Sequence, residues 1–390
     1  MKKLTIILLF LLPIAAMAQA GFKVTMKLKN LGTHKVKAIY QRNGKMAFDT
    51  IAPLSSGEVV WKGSFDEPQL VRIDVIDSSL NLVIGKAVAT PPSLMFLLSN
   101  SNIEIKGDAR EVYTAAVISK DPEVNYYEKF RKADLPNTRQ IWNLQKEQNQ
   151  RMKVQDTSGT AANRAATSAL RKESIALKSK FVDENPKALA SFLILQSMSL
   201  QLTVQEMESK YNNLDDKYKN TIAAKNIVDK IESNKRTAIG KPVIPFAQTG
   251  YTGSMVDVSA LKGKVVIIDF WGSWCVPCRR SHPELKAIYE KYQPQGLEIV
   301  GVSNESVSGK KPKEDQDKAW RKAIQEDDIK WLHILNDPDI QDLSKEFDIA
   351  GYPTKFLIDR DGKFALKLLG NSPQEHEKLI KKLEELLGKQ

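Results

Sequence analysis

Val265-Val266-Ile267-Ile268-Asp269-Phe270-Trp271-Gly272-Ser273-Trp274-Cys275-Val276-Pro277-Cys278 is the stretch that decides how this chain is read. Its first six residues are apolar except Asp269, the pattern of a strand buried on both faces. Ser281 to Tyr292 then carries helical periodicity. Cys275 therefore stands where a strand hands over to a helix, and Cys278 lies one turn in. Free N–H groups and the dipole at a helix N-terminus favour a thiolate. A thiolate is the attacking species in disulfide exchange. Two thiols at this spacing allow a mixed disulfide to form and then be resolved.

The chain has 2 cysteines, and both are in this stretch. A purely stabilising disulfide would close a very short loop and so constrain the unfolded chain little. A zinc site would need two further ligands, and only His282 is near in sequence. Redox chemistry without metal or cofactor is the reading carried forward.

Working outward, strand and helix alternate on both sides of the cysteines. Leu297–Val302 is a second apolar strand, Pro312–Glu326 a helix and Trp331–Leu335 a strand. Lys355–Ile358 and Phe364–Leu368 flank Asp361-Gly362, a hairpin signal, and Pro373–Leu387 is a closing helix with proline in its first turn. This is an α/β module with a partly parallel sheet, over 239–390.

Upstream, the 390 residues leave room for further domains. Residues 119–238 are rich in Lys, Gln, Glu and Ala and read as a helical scaffold. Within it, 154–163 is an expected loop, Asn185-Pro186 a helix break and Thr203–Glu206 a capping box. Residues 19–118 read as short strands at Phe22–Leu28, Val36–Tyr40, Glu58–Trp61, Leu70–Ile76 and Ile103–Ile105, with a turn at Asn43-Gly44. That pattern predicts a small antiparallel β sandwich. Residues 1–18 begin with Lys2 and Lys3, continue apolar from Leu4 to Ala16 and end in Ala16-Met17-Ala18, the layout of a cleavable signal peptide. The expected location is therefore periplasmic, an oxidising compartment.

The net charge of +11 divides as +5, +6 and 0 over residues 1–119, 120–239 and 240–390. The excess is spread along the chain without an aromatic RNA-binding motif, so a solvated basic surface is favoured over a nucleic-acid partner.

With these residues in view, 240–390 resembles the thioredoxin-fold module of secreted thiol-disulfide oxidoreductases of the TlpA/ResA type, within the AhpC/TSA–thioredoxin superfamily. The resemblance rests on Pro245-Phe246, Leu261-Lys262-Gly263-Lys264, Asp269 through Cys278, Gly351-Tyr352-Pro353-Thr354 and Ile358-Asp359-Arg360-Asp361-Gly362. It implies that Cys275 is the exposed nucleophile and Cys278 the resolving thiol. Pro353 would be a cis-proline beside the sulfurs. The backbone before it would pair with substrate, placing Tyr352 in contact, with Trp274, Val276 and Pro277 completing the substrate surface. Asp269 matches the buried acid of thioredoxins. An ionised carboxylate is costly in an apolar strand, which makes Asp269 a candidate proton acceptor for Cys278; a hydrogen-bonded structural role is the alternative. Ser281 stands where cytochrome-maturation members carry Glu, which puts that subtype in doubt. Pro283 matches a helix-kinking proline, His282 is expected at the surface, with tuning of the thiols as the alternative, and 303–350 resembles an inserted helix-strand element. Phe65–Pro68 and Phe96–Asp108 resemble an all-β domain of unknown function found ahead of such modules.

The expected activity is protein thiol-disulfide exchange, in the reducing or isomerising direction. Val276-Pro277 lacks a histidine that would favour the thiolate, so a potential nearer to roughly −270 mV than −120 mV is expected. Expected partners are protein thiols and disulfides, a membrane electron donor and a second copy of the chain docked through the helical stretch. Two other readings stand: a peroxiredoxin-like thiol peroxidase, although neither cysteine sits in a Pro-x-x-x-Thr/Ser-x-x-Cys loop, and a non-catalytic docking or assembly protein.

Overall fold

The computed structural model describes residues 21–42, 44–84, 87–306 and 312–388. The signal-peptide expectation lies outside the described residues, as does Asn43 of the expected turn. The chain forms two compact units, Met1–Ile227 and Val228–Gln390.

The first unit opens with strands β1 (Phe22–Lys29), β2 (Val36–Arg42), β3 (Lys45–Ile51), β4 (Val59–Gly63), β5 (Gln69–Val75), β6 (Leu82–Ile84), β7 (Ala87–Ala89), β8 (Leu94–Leu98), β9 (Asn102–Asp108) and β10 (Ala116–Ser119). They form four-stranded sheets ordered β10-β9-β1-β4 and β3-β2-β5-β8, and a β6-β7 hairpin. Alternation in β1 buries Phe22, Val24, Met26 and Leu28 and exposes the residues between Phe22 and Met26 to varying degree. The rings of Phe22, Tyr40, Trp61 and Phe65 cluster with centroids 4.6–6.3 Å apart, mostly edge-on or tilted. Asp49 accepts from Trp61 Nε1 at 2.8 Å and from Tyr40 OH at 3.1 Å. The antiparallel expectation holds throughout the second sheet, whereas β1 and β9 run parallel, so the first sheet is mixed. β2 and β3 stay paired up to Arg42↔Lys45, and Gly44 is at φ +71°.

Helices α1 (Pro122–Lys153), α2 (Thr160–Glu184), α3 (Leu189–Ser197), α4 (Val204–Asn212) and α5 (Ile222–Arg236) follow. The expected loop shrinks to Val154–Gly159, because α2 already starts at Thr160. Its other end falls just before Asn185-Pro186 as expected. Both halves of the Thr203–Glu206 capping box are made. α3 is almost wholly buried, with Phe192 fully so.

The second unit contains β11 (Ala247–Thr249), β12 (Met255–Asp257), β13 (Val265–Trp271), α6 (Val276–Tyr292), β14 (Leu297–Ser303), α7 (Lys313–Glu326), β15 (Leu332–Leu335), α8 (Leu343–Glu346), β16 (Thr354–Ile358), β17 (Phe364–Leu369) and α9 (Pro373–Leu387). Its five-stranded sheet runs β15-β14-β13-β16-β17. β13 pairs parallel with β14 and antiparallel with β16, giving the thioredoxin-like mixed sheet. Every residue of β13 is buried, which explains its nearly continuous apolar run. Two cores cover the sheet, one on the side of α6, α7 and α9 and one built around Phe246, Phe270, Phe347, Phe356 and Phe364.

Candidate active site

β13 delivers the chain to the cysteines through Gly272. A Cβ there would come within 2.4 Å of Trp274 Nε1, so glycine lets the indole fold back over the backbone. Cys275 caps α6 with extended backbone, and its Sγ accepts from Cys278 N–H at 3.2 Å. Pro277 sits in the first turn, where its missing N–H costs nothing. Cys275 and Cys278 form a disulfide with Cα atoms 5.3 Å apart. Cys275 was expected to be exposed; in this oxidised form it is 3% exposed, against 0% for Cys278. Trp274 and Tyr352 pack on the core that holds both cysteines, while Val276 and Pro277 are exposed beside them.

The Tyr352–Pro353 peptide bond is cis, as the resemblance implied. The Tyr352 ring meets Trp274 edge-on at 5.4 Å. Its hydroxyl accepts from Asn304 Nδ2 at 2.9 Å and lies 3.1 Å from Ser344 Oγ. Asn304 also accepts Trp274 Nε1 on its carbonyl at 2.9 Å. Glu305, 2% exposed, accepts Ser273 N–H at 2.7 Å, Ser273 Oγ at 2.6 Å and Ser303 Oγ at 2.7 Å. One turn after β14 thus ties the loop before Cys275 to the loop before Pro353. Sequence reasoning missed Asn304 and Glu305. Their only signal was position: they follow the carboxyl end of a parallel strand, where α/β sheets place their sites.

Asp269 is 1% exposed and opposes Lys355 in the β13–β16 register. Lys355 Nζ lies 3.3 Å from Asp269 Oδ1, an ion-pair distance without hydrogen-bond alignment. Lys355 was also missed, because its facing partner depends on strand register. A cavity of about 20 Å³, room for roughly one water, is lined by Lys355, Ser281, Glu284 and His376.

His282 is a correction: expected at the surface, it is 1% exposed. Its helix position turns it toward the sheet, where it meets Trp271 edge-on at 5.0 Å. Its Nδ1 lies 2.7 Å from Asp327 Oδ2, and Arg279 Nη2 donates to Oδ1 of the same carboxylate at 2.6 Å. Burial lowers the His282 pKa despite the acids Asp269 and Asp327. Burial alone would raise Asp327, but Arg279 and His282 outweigh it and hold the carboxyl below its usual range.

His333 on β15 is buried and pushed down to about 3, first by burial and then by His282. An unfolded imidazole titrates near 6.5. Below about pH 6.5 the unfolded chain therefore takes up a proton that the folded chain refuses until pH about 3. Stability is full above 6.5 and falls as pH drops through that window. Urea titrations of the wild type between pH 7 and pH 4 should show this slope, and His333→Phe should flatten it by about one proton. An unchanged slope in His333→Phe contradicts the assignment.

No helix among the described residues is long and apolar enough to cross a membrane. A family model described as AhpC/TSA family matches residues 239–367. The thiol-disulfide oxidoreductase ResA of Geobacillus kaustophilus is 30% identical over 140 residues, covering 35% of this chain and 73% of that protein. ResA of Bacillus thuringiensis is 29% identical over 150 residues, covering 38% and 80%. Among solved structures, a putative thiol:disulfide interchange protein DsbE from Chlorobium tepidum is 32% identical, covers 39% of this chain and 99% of its own, and has a TM-score of 0.34.

Proposed function

The chain belongs to the thiol-disulfide oxidoreductases of the ResA type with a thioredoxin fold, and from that premise we propose that Cys275 and Cys278 are its working dithiol, exchanging electrons with protein disulfides. The observation that carries this reading is a disulfide at the N-terminus of α6, beside the loop that carries Tyr352 and Pro353.

In the reducing direction the Cys275 thiolate attacks one sulfur of a substrate disulfide. A Cys275–substrate disulfide forms and the other substrate sulfur leaves as a thiolate. Cys278, deprotonated to Asp269, then attacks Cys275 Sγ, and the second substrate thiolate leaves. The substrate gains two electrons and the Cys275–Cys278 pair loses two. The helix terminus favours the Cys275 thiolate at the start of the cycle. Tyr352, Trp274, Val276, Pro277 and Pro353 form the substrate surface, with Tyr352 oriented by Asn304 and Ser344.

The reducing or isomerising direction rests on Val276-Pro277, which puts no histidine between the cysteines. Regeneration then requires an electron donor, for which a membrane reductase is the candidate. The signal-peptide pattern of 1–18 supports a periplasmic location, three domains bounded at about 118 and 238 remain our division of the chain, and the helical stretch is the candidate dimer surface. Direction is tested by offering the purified protein both an oxidised and a fully reduced substrate protein. Faster reduction by dithiothreitol is expected; faster oxidation of the reduced substrate by the disulfide form would reverse the assignment.

A further inference from the structure

The first unit contains a cavity of about 220 Å³ between its second sheet and helices α1, α2 and α3. Leu70, Met95, Phe130, Leu135 and Ile194 supply apolar wall. Tyr113, Tyr127, Phe130 and Ile194 are buried at its floor, while Ser197 is exposed at its mouth. An apolar cavity with a few convergent polar groups is the usual anatomy of a small-molecule site.

The polar groups say which chemistry it would accept. Arg131 is already engaged: Glu128 takes its Nε and Nη2 at 2.7 and 2.9 Å, and the carbonyls of Tyr113 and Ala115 take the rest. Asp134 accepts Ser174 Oγ at 2.5 Å and Asn137 Nδ2 at 3.3 Å. Two further groups line the cavity. The Tyr113 hydroxyl, on a residue 2% exposed, makes no hydrogen bond of good geometry; Arg139 is near enough to donate to its oxygen, which leaves the O–H free to donate. Lys178 is half-buried, has Asp134 as the charge acting on it, and is lowered chiefly by burial. Both can donate, so the complementary ligand group is an acceptor, and for the ammonium an anion.

We propose that this cavity binds a small aromatic or branched-apolar carboxylate, its body among Tyr127, Phe130 and Ile194 and its carboxylate on Lys178 and Tyr113. Such a site gives the first unit a ligand-binding role separate from the disulfide chemistry. A charge-assisted hydrogen bond to the carboxylate is among the stronger kinds, so discrimination should depend on the charge as well as on fit.

The test is calorimetric titration of the full protein with 3-phenylpropionate and with its neutral amide. The acid should bind about tenfold or more tightly than the amide. Lys178→Met should erase that preference, and Lys178→Arg, which keeps the cation, should retain it. Ser197→Trp, at the exposed mouth, should weaken both probes and leaves the floor packing untouched. Thermal unfolding without probe confirms that each variant is folded. No binding of the acid at millimolar concentration, equal binding of acid and amide, or unchanged acid binding in Lys178→Met overturns the proposal.

Discussion

Cys275→Ser should lower catalysed disulfide exchange by at least about a thousandfold, the scale on which loss of a catalytic nucleophile is felt. A serine hydroxyl at this position is not appreciably ionised near neutrality, so the stabilised attacking anion at the end of α6 disappears. Cys278→Ser should behave differently. Attack by Cys275 survives and resolution does not, so a covalent adduct with the substrate protein should accumulate and vanish on reduction. Non-reducing electrophoresis of the two variants after mixing with a disulfide-bonded substrate separates these outcomes. Adduct formed by Cys275→Ser and not by Cys278→Ser would exchange the two roles. The accessibilities, 3% for Cys275 and 0% for Cys278, set the same order but leave both low. Trp274 and Tyr352 pack against the core that holds both cysteines, and Val276 and Pro277 are exposed beside them.

Lys355→Met should be the most damaging single change to the stability of the second unit outside its apolar core. Removing one member of a buried ion pair leaves the other charge uncompensated, at a cost of about 3–5 kcal/mol. Lys355 and Asp269 are 5% and 1% exposed, and their charged atoms are 3.3 Å apart. The double variant Lys355→Met with Asp269→Leu should recover most of the loss, because no lone charge remains. Urea unfolding of the single and double variants measures both effects. A loss below about 1 kcal/mol for the single variant, or strictly additive losses in the pair, would show that the two residues do not act as a buried unit. Activity adds a second reading: Asp269→Leu should slow resolution of the mixed disulfide more than its formation, since Asp269 is assigned to the Cys278 proton.

The redox end of the chain was the most legible part. A run such as Val265–Phe270 has few folded outcomes, and the strand, the helix start at the cysteines and the closing hairpin all fell within a few residues of expectation. The β-rich front was legible as strands but not as topology. The parallel β1–β9 pair joins segments far apart in sequence, and alternation reports which face is buried, not which strand lies alongside. Strand β3 went unread because Lys45–Ile51 is exposed or half-exposed along its length and has no buried apolar period.

In the site, residues carried by a local motif were visible and residues brought in by the fold were not. Lys355 meets Asp269 only through the β13–β16 register. Asn304 and Glu305 reach the cysteine loop only because β14 ends beside β13. His282 was misread for a related reason: on a helix bearing a proline and several charges it looks superficial, yet its side faces Trp271, Trp331 and Asp327.

The most direct test of the central claim is the redox equilibrium of Cys275–Cys278 in the purified protein, read by thiol trapping against dithiothreitol and glutathione buffers. The account predicts one reversible two-electron couple, nearer to roughly −270 mV than to −120 mV. A couple near −120 mV would contradict the reducing direction, and no reversible couple at all would contradict the assignment of this pair as the working dithiol.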